Sequence, residues 1–211
     1  MLTTISKHEV TELLHGPSGQ LEAAIIRAED GENKPWGIVC HPHPLYGGTM
    51  DNKIVTTIVR AFQHFKLNTI RFNFRGVGRS EGLFDEGNGE LNDLLSVIDW
   101  IRQQKTEPDI WLGGFSFGAY IAAKGATLID AKKLVMIAPP VVHFPMQTLP
   151  AIKCDWVLAQ GMQDDVVSPE AVLTWATSRT PAPQILQFPE AGHYFHGQLT
   201  ELRLKLEEAL G

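Results

Sequence analysis

Apolar residues along this chain fall into blocks with two alternating spacings. Compact runs at Trp36 to Cys40 (WGIVC), Asn68 to Phe74 (NTIRFNF), Asp109 to Leu112, Lys133 to Ala138 (KLVMIA), Asp155 to Gln160 (DWVLAQ) and Gln184 to Phe188 read as strands. Between them the apolar spacing widens to i, i+3, i+4. Ile54, Val55, Ile58, Val59, Phe62 and Phe65 share one helical face, with Asp51 placed to cap it. Leu91, Leu94, Leu95, Ile98 and Ile101 predict a second helix over 88–104, and Ala119 to Ala126 is small and helix-compatible. Pro169 to Ser178 predicts a helix capped by Ser168, and Gln198 to Leu210 a charged amphipathic one. Residues 9–15 and 20–28, divided by Gly16-Pro17-Ser18-Gly19, predict an antiparallel hairpin. The stretch from Pro139 to Lys153 is interrupted by prolines and only weakly helical.

A hairpin followed by regular β-α alternation predicts an α/β fold: a mostly parallel central sheet flanked by helices. In such sheets ligands bind beyond the carboxyl ends of the strands. Every loop rich in Gly, His, Asp or Ser in this chain follows a strand, so one shared site is expected there.

Composition acts mainly by exclusion. A chain of 211 residues, 44% apolar, is expected to form one domain over residues 1–211 with an ample core. Its net charge of −6 supplies no basic field for nucleic acid or an anionic membrane surface. The opening MLTTISKHEVTELL is too polar for a signal peptide, and no run approaches the ~18 apolar residues of a membrane span. Cys40 and Cys154 are the only cysteines, and buried free thiols in a reducing cytoplasm are expected rather than a disulfide.

The candidate chemistry centres on Trp111 to Tyr120 (WLGGFSFGAY), where an apolar strand runs through small residues into a helix. Gly114, Ser116 and Gly118 match G-x-S-x-G, the pattern of a nucleophile elbow. A serine exposed on so tight a strand-to-helix turn has strained backbone, and side chains two residues away on either side would collide with the crossing strand and helix. With 7 serines and 19 glycines in the chain, chance supplies about 0.06 such matches, so context decides. The bland alternative is a glycine-rich turn whose serine only caps the helix.

A serine hydroxyl needs a base, and the base needs an orienting carboxylate. In elbow-type enzymes the order is Ser, then Asp or Glu, then His. His193 lies in Pro189-Glu190-Ala191-Gly192-His193, just past the last strand, where a loop can carry it over the sheet edge. His196, nearer the closing helix, is the lesser choice. Asp164 and Asp165 follow the strand DWVLAQ, and strand alternation does not choose between adjacent residues.

Nearly the whole chain resembles the α/β-hydrolase superfamily, in a small, lidless form similar to hydrolases with an H-P-H-P-x-x-G-G loop. The motifs that carry the resemblance are HPHPLYGG, RFNFRGVGRSEG, GGFSFG, GMQDDVVSPE and EAGHYFHG, in family order. The resemblance implies Ser116 as nucleophile and His193 as base. The family's G-x-x-D-x-x-V spacing fits Gly161, Asp164 and Val167, which makes Asp164 the expected acid and Asp165 the reserve. The oxyanion hole is expected to use the N–H of Phe117 and one from the loop after WGIVC. Pro42 and Pro44 have no N–H, so His43, Leu45 and Tyr46 are the candidates, and Leu45 is favoured. His41 and His43 lack a third convergent ligand, so they are expected to stabilise the loop, with no metal and no cofactor. Asn73 departs from relatives that carry an acidic residue before R-G-x-G-x-S.

These readings predict a serine hydrolase acting on a small-molecule ester or thioester through an acyl-enzyme. The short connection after KLVMIA leaves little material for a cap domain. An open site for small to medium acyl groups is expected, walled by Tyr46, Phe117, Val141, Val142 and Phe144. A second reading is a catalytically silent hydrolase-like protein that holds a ligand or partner in the same pocket. The presence of every triad candidate argues against it.

Overall fold

The computed structural model describes residues 9–104 and 107–211. The first eight residues, part of the stretch read as too polar for a signal peptide, lie outside the described residues. β1 (Glu9–Gly16) and β2 (Gly19–Ile26) form the expected antiparallel hairpin, in register from Glu9↔Ile26 to Gly16↔Gly19. Six further strands follow: β3 (Trp36–Cys40), β4 (Asn68–Phe72), β5 (Ile110–Phe115), β6 (Lys133–Ile137), β7 (Asp155–Gly161) and β8 (Gln184–Phe188). The sheet order is β1-β2-β4-β3-β5-β6-β7-β8, and every pairing from β4 through β8 is parallel. β2 joins this parallel set by running antiparallel to β4.

Five helices cover the two faces: α1 (Lys53–His64), α2 (Gly89–Gln104), α3 (Phe117–Ala126), α4 (Pro169–Thr177) and α5 (Leu199–Leu210). Strand alternation divides the core between them. Leu112, Leu134, Met136, Trp156 and Leu158 pack with α2, α3 and α4, while Phe115, Val135, Ile137, Val157 and Ala159 pack with α1 and α5. A sheet buried on both faces has continuous apolar strands, which is why WGIVC and KLVMIA lack polar alternation. Each fully buried Ile, Leu or Phe contributes roughly 1.5–3 kcal/mol of transfer free energy. No described helix is long and apolar enough to cross a membrane.

Two boundaries differ from the sequence pattern for traceable reasons. Asn52, not Asp51, caps α1: its Oδ1 accepts from Ile54 N at 2.8 Å. The Asp51 carboxylate is instead engaged by Arg71 Nη2 at 3.0 Å. β4 ends at Phe72, two residues early, because Asn73 diverts the chain. Asn73 Oδ1 accepts from Met50 N at 2.8 Å and its Nδ2 donates to Glu22 Oε2 at 2.8 Å. Beyond it, the buried Arg75–Asp93 pair (2.7 Å) and the buried Glu90 carboxylate, accepting from Asp85 N and Gly87 N, hold the loop onto α2. These ties set the rim beside the carboxyl ends of β3 and β5.

Candidate active site

Ser116 is the single residue between β5 and α3, with φ 53° and ψ −122°. A non-glycine residue held in this region stores about 1–3 kcal/mol of strain, which the surroundings must over-determine. They do so through backbone. Ser116 N donates to Ile137 O at 2.8 Å, and Ser116 O accepts from Ala119 N at 2.9 Å. A Cβ on Gly114 would collide with the carbonyl of Gly118, and one on Gly118 with the carbonyls of Cys40 and His41. None of these backbone atoms can step aside, so the spacing of the two glycines is a steric requirement. Ser116 is left half-buried at the N-terminus of α3, with no capping hydrogen bond from its side chain.

The acid and base candidates sit in the loops after β7 and β8. Asp164 Oδ1 accepts from Val166 N at 2.9 Å and Val167 N at 2.8 Å. Its Oδ2 accepts from His193 Nδ1 at 2.8 Å and from Gln160 Nε2 at 3.1 Å. Burial pushes the Asp164 pKa up, but the hydrogen bonds from His193, Val167 and Val166 outweigh it and hold the carboxyl below its ordinary range. An ionised carboxylate only accepts, so the His193 proton lies on Nδ1 and Nε2 is the free acceptor. Nε2 has no partner among the described residues, and Ser116 Oγ is not hydrogen-bonded to it at rest. Such a contact commonly tightens only once substrate is bound. The His193 ring lies 4.9 Å from that of Phe115, the residue before the serine. Gln163 N to Ala191 O, at 2.9 Å, ties the two loops together. Asp165 and His196 are both exposed, and neither joins the pair.

The loop after β3 is organised by two histidines. His41 is fully buried, its Nδ1 donating to Pro42 O at 2.6 Å and its Nε2 accepting from Phe74 N at 3.0 Å. Burial lowers its pKa to about 4, so the ring is neutral. His43 Nδ1 accepts from Leu45 N at 3.2 Å, and burial lowers this ring's pKa too. That bond corrects an expectation: the Leu45 N–H is committed to His43 and is not free for an oxyanion. Tyr46 N is committed as well, to His43 O at 3.1 Å. Of the three candidate donors, only the His43 N–H has no partner among the described residues, as is also the case for the N–H of Phe117, the first residue of α3.

The expected walls separate in the same way. Val141 is 4% exposed and Phe117 1%, both packed in the core, so neither side chain lines an open cleft. Tyr46, Val142 and the half-buried Phe144 remain at the surface. The ring of His43 stands among them, 4.6 Å from Tyr46, 4.8 Å from Phe84 and 6.1 Å from Phe144. Two concavities of about 380 and 310 Å³ lie elsewhere, one over α4 and one beside Cys154. Gln160 belongs to the site although no motif marks it. The available signal was a polar residue closing an otherwise apolar strand just before the acid loop.

Comparison with known proteins places this arrangement in context. A sequence model of the alpha/beta hydrolase fold matches residues 45–148. An alpha-beta serine hydrolase homologue from Coxiella burnetii is 44% identical, with a TM-score of 0.91 over 96% of this chain and 97% of that one. An α/β serine hydrolase without lid from Xanthomonas campestris is 36% identical, with a TM-score of 0.90 over 97% of this chain and 94% of that one. An uncharacterized protein of Rickettsia prowazekii is 35% identical over 173 residues, spanning 75% of this chain and 68% of that one.

Proposed function

The chain belongs to the α/β-hydrolase family and is a hydrolase, and on that premise we propose that it cleaves an ester or thioester through an acyl-enzyme on Ser116. The observation that carries this reading is the buried Asp164–His193 pair at 2.8 Å, which leaves Nε2 unpartnered beside the serine elbow. His193 Nε2 takes the hydroxyl proton as Ser116 Oγ attacks the carbonyl carbon. The negative charge moves to the carbonyl oxygen, where the N–H groups of Phe117 and His43 stabilise it. Collapse expels the alcohol or thiol, which receives the proton from His193. A water then repeats the sequence, releasing the acid and restoring the serine. Asp164 stays ionised throughout, holding the tautomer and stabilising the imidazolium.

The connection between β6 and β7 adds only a single 3-10 turn, at Met146–Thr148. That supports an open site for short to medium acyl groups, with Tyr46, Val142 and Phe144 at its edge. Two free thiols, Cys40 and Cys154, support a cytoplasmic setting. The test is labelling by a fluorophosphonate probe, followed by a chain-length series of p-nitrophenyl esters. Wild type should label and Ser116→Ala should not, with the rate optimum at short or medium chains. An unlabelled wild type beside labelled control hydrolases would favour a silent binding protein, and an optimum at long chains would refute the open-site reading.

A further inference from the structure

Gln160 is fully buried at the carboxyl end of β7, yet it is not paired the way a structural glutamine would be. Its Nε2 donates twice, to Gly161 O at 3.0 Å and to Asp164 Oδ2 at 3.1 Å. Its Oε1 has no partner, the only such buried side-chain oxygen or nitrogen among the described residues. Turning the amide over would not repair this, because Oε1 would then face two acceptors. Evolution of the fold alone gives no reason to keep an orphaned carbonyl where an apolar side chain of similar volume would fit. The atom that Gln160 does serve is the Asp164 oxygen that also receives His193 Nδ1.

We infer that Gln160 is a positioning residue for the acid–base pair, pinning Asp164 Oδ2 so that the carboxylate meets the His193 ring in one orientation. This inference rests on the triad reading above. With Gln160 in place, Asp164 receives four donors: two backbone amides on Oδ1, and the ring and the Gln160 amide on Oδ2. Removing the Gln160 donor leaves Oδ2 more basic and free to swing. The imidazolium of His193 is then held more strongly, and the acid limb of the pH–rate profile moves to higher pH. The other ionisable groups nearby, Asp165, His143, Tyr194 and His196, are exposed and screened by solvent.

The experiment compares Gln160→Met with wild type in full-length protein, using the fluorophosphonate labelling rate and p-nitrophenyl ester turnover against pH. The expected result is a fall of about tenfold in kcat and in labelling rate, with KM unchanged. The acid limb should rise by about half a unit, and the melting temperature should hold or increase. In an Asp164→Asn background the same substitution should cost nothing further, because Gln160 acts through Asp164. A lowered melting temperature with an unmoved acid limb would assign Gln160 to the fold and overturn the inference, as would full additivity with Asp164→Asn. If Gln160→Met does not fold, Gln160→Leu removes the same donor with a smaller apolar side chain and should move the limb upward by a similar amount. A wild-type profile in that variant would equally defeat it. Failure of wild type to label at all would sink the triad reading instead, so the two failures are distinguishable.

Discussion

His41 and His193 are both buried histidines in loops that follow strands, and they differ in what is left of each ring. His41 spends both nitrogens on backbone, one on Pro42 O and one on Phe74 N. His193 spends one nitrogen on a carboxylate and keeps the other free. A ring with both nitrogens committed to neutral groups has no proton to trade and can only hold parts together. A ring held by an anion on one side has a base on the other, with its positive form stabilised in advance. Burial alone therefore says little about role; the partner's charge and the vacant nitrogen say nearly all of it.

The sharpest way to break this contrast is to remove each ring in turn. His193→Ala should lower ester turnover per folded molecule by about 10⁴-fold or more, with some loss of stability from the partner taken from the buried Asp164. His41→Ala should act chiefly on stability. It leaves the buried Phe74 N–H and Pro42 O unpaired and opens a cavity, costing roughly 3–5 kcal/mol of stability in urea unfolding. The contrast collapses if His193→Ala is the variant that unfolds. Asp164→Asn refines it, with an expected loss on the order of 10⁴-fold in kcat, or about 5 kcal/mol of transition-state stabilisation. Asp165→Asn, at an exposed position, should change kcat less than about tenfold. Reversal of that order on one ester, with both proteins folded, would move the acid by one residue.

Acid pH gives a smaller and independent measurement. The folded pKa of His41 is about 4, below its ordinary value of 6.5. Between those values the unfolded chain takes up a proton that the folded chain refuses, so stability falls as pH drops from 6.5 to 4. Over the whole window the loss is about 3 kcal/mol. Asp164 acts in the same direction but lower: its depressed folded pKa contributes stability that persists until pH falls through it. Urea midpoints at pH 7, 5.5 and 4.5 should fall in wild type and flatten over that range in His41→Gln. An equal slope in both would show that His41 is not the group responsible.

The parts of this molecule that were legible in the sequence are those set by local sterics and burial. Strand runs and helical spacing place the two-faced sheet, and Gly114 and Gly118 mark the elbow because backbone passes where their side chains would be. The parts that were not legible depend on which atom wins a shared partner. Asp164 and Asp165 are adjacent, and strand alternation does not choose between them; the family spacing favours Asp164, and the cradle of Val166 N and Val167 N with the His193 bond sets it apart in the fold. Leu45 fails as an oxyanion donor because the His43 ring folds back onto its N–H, a rotamer outcome that no spacing records. Asn52 replaces Asp51 as a cap because Arg71, distant in sequence, claims the carboxylate. Gln160 lies outside any motif, since a side-chain hydrogen bond to Asp164, four residues on, gives it its place.

The bond from Phe74 N to His41 Nε2 has a dynamic consequence as well. Phe74 lies beyond the last residue of β4, where a loop amide would ordinarily exchange with solvent deuterium through small, frequent openings. Here the amide is shut in by a fully buried ring, and exposing it requires that ring to leave the core. The rim of the cleft therefore belongs to the slow-opening unit of the sheet rather than to the fraying surface. Hydrogen exchange at this one position reports how often that rim itself comes apart.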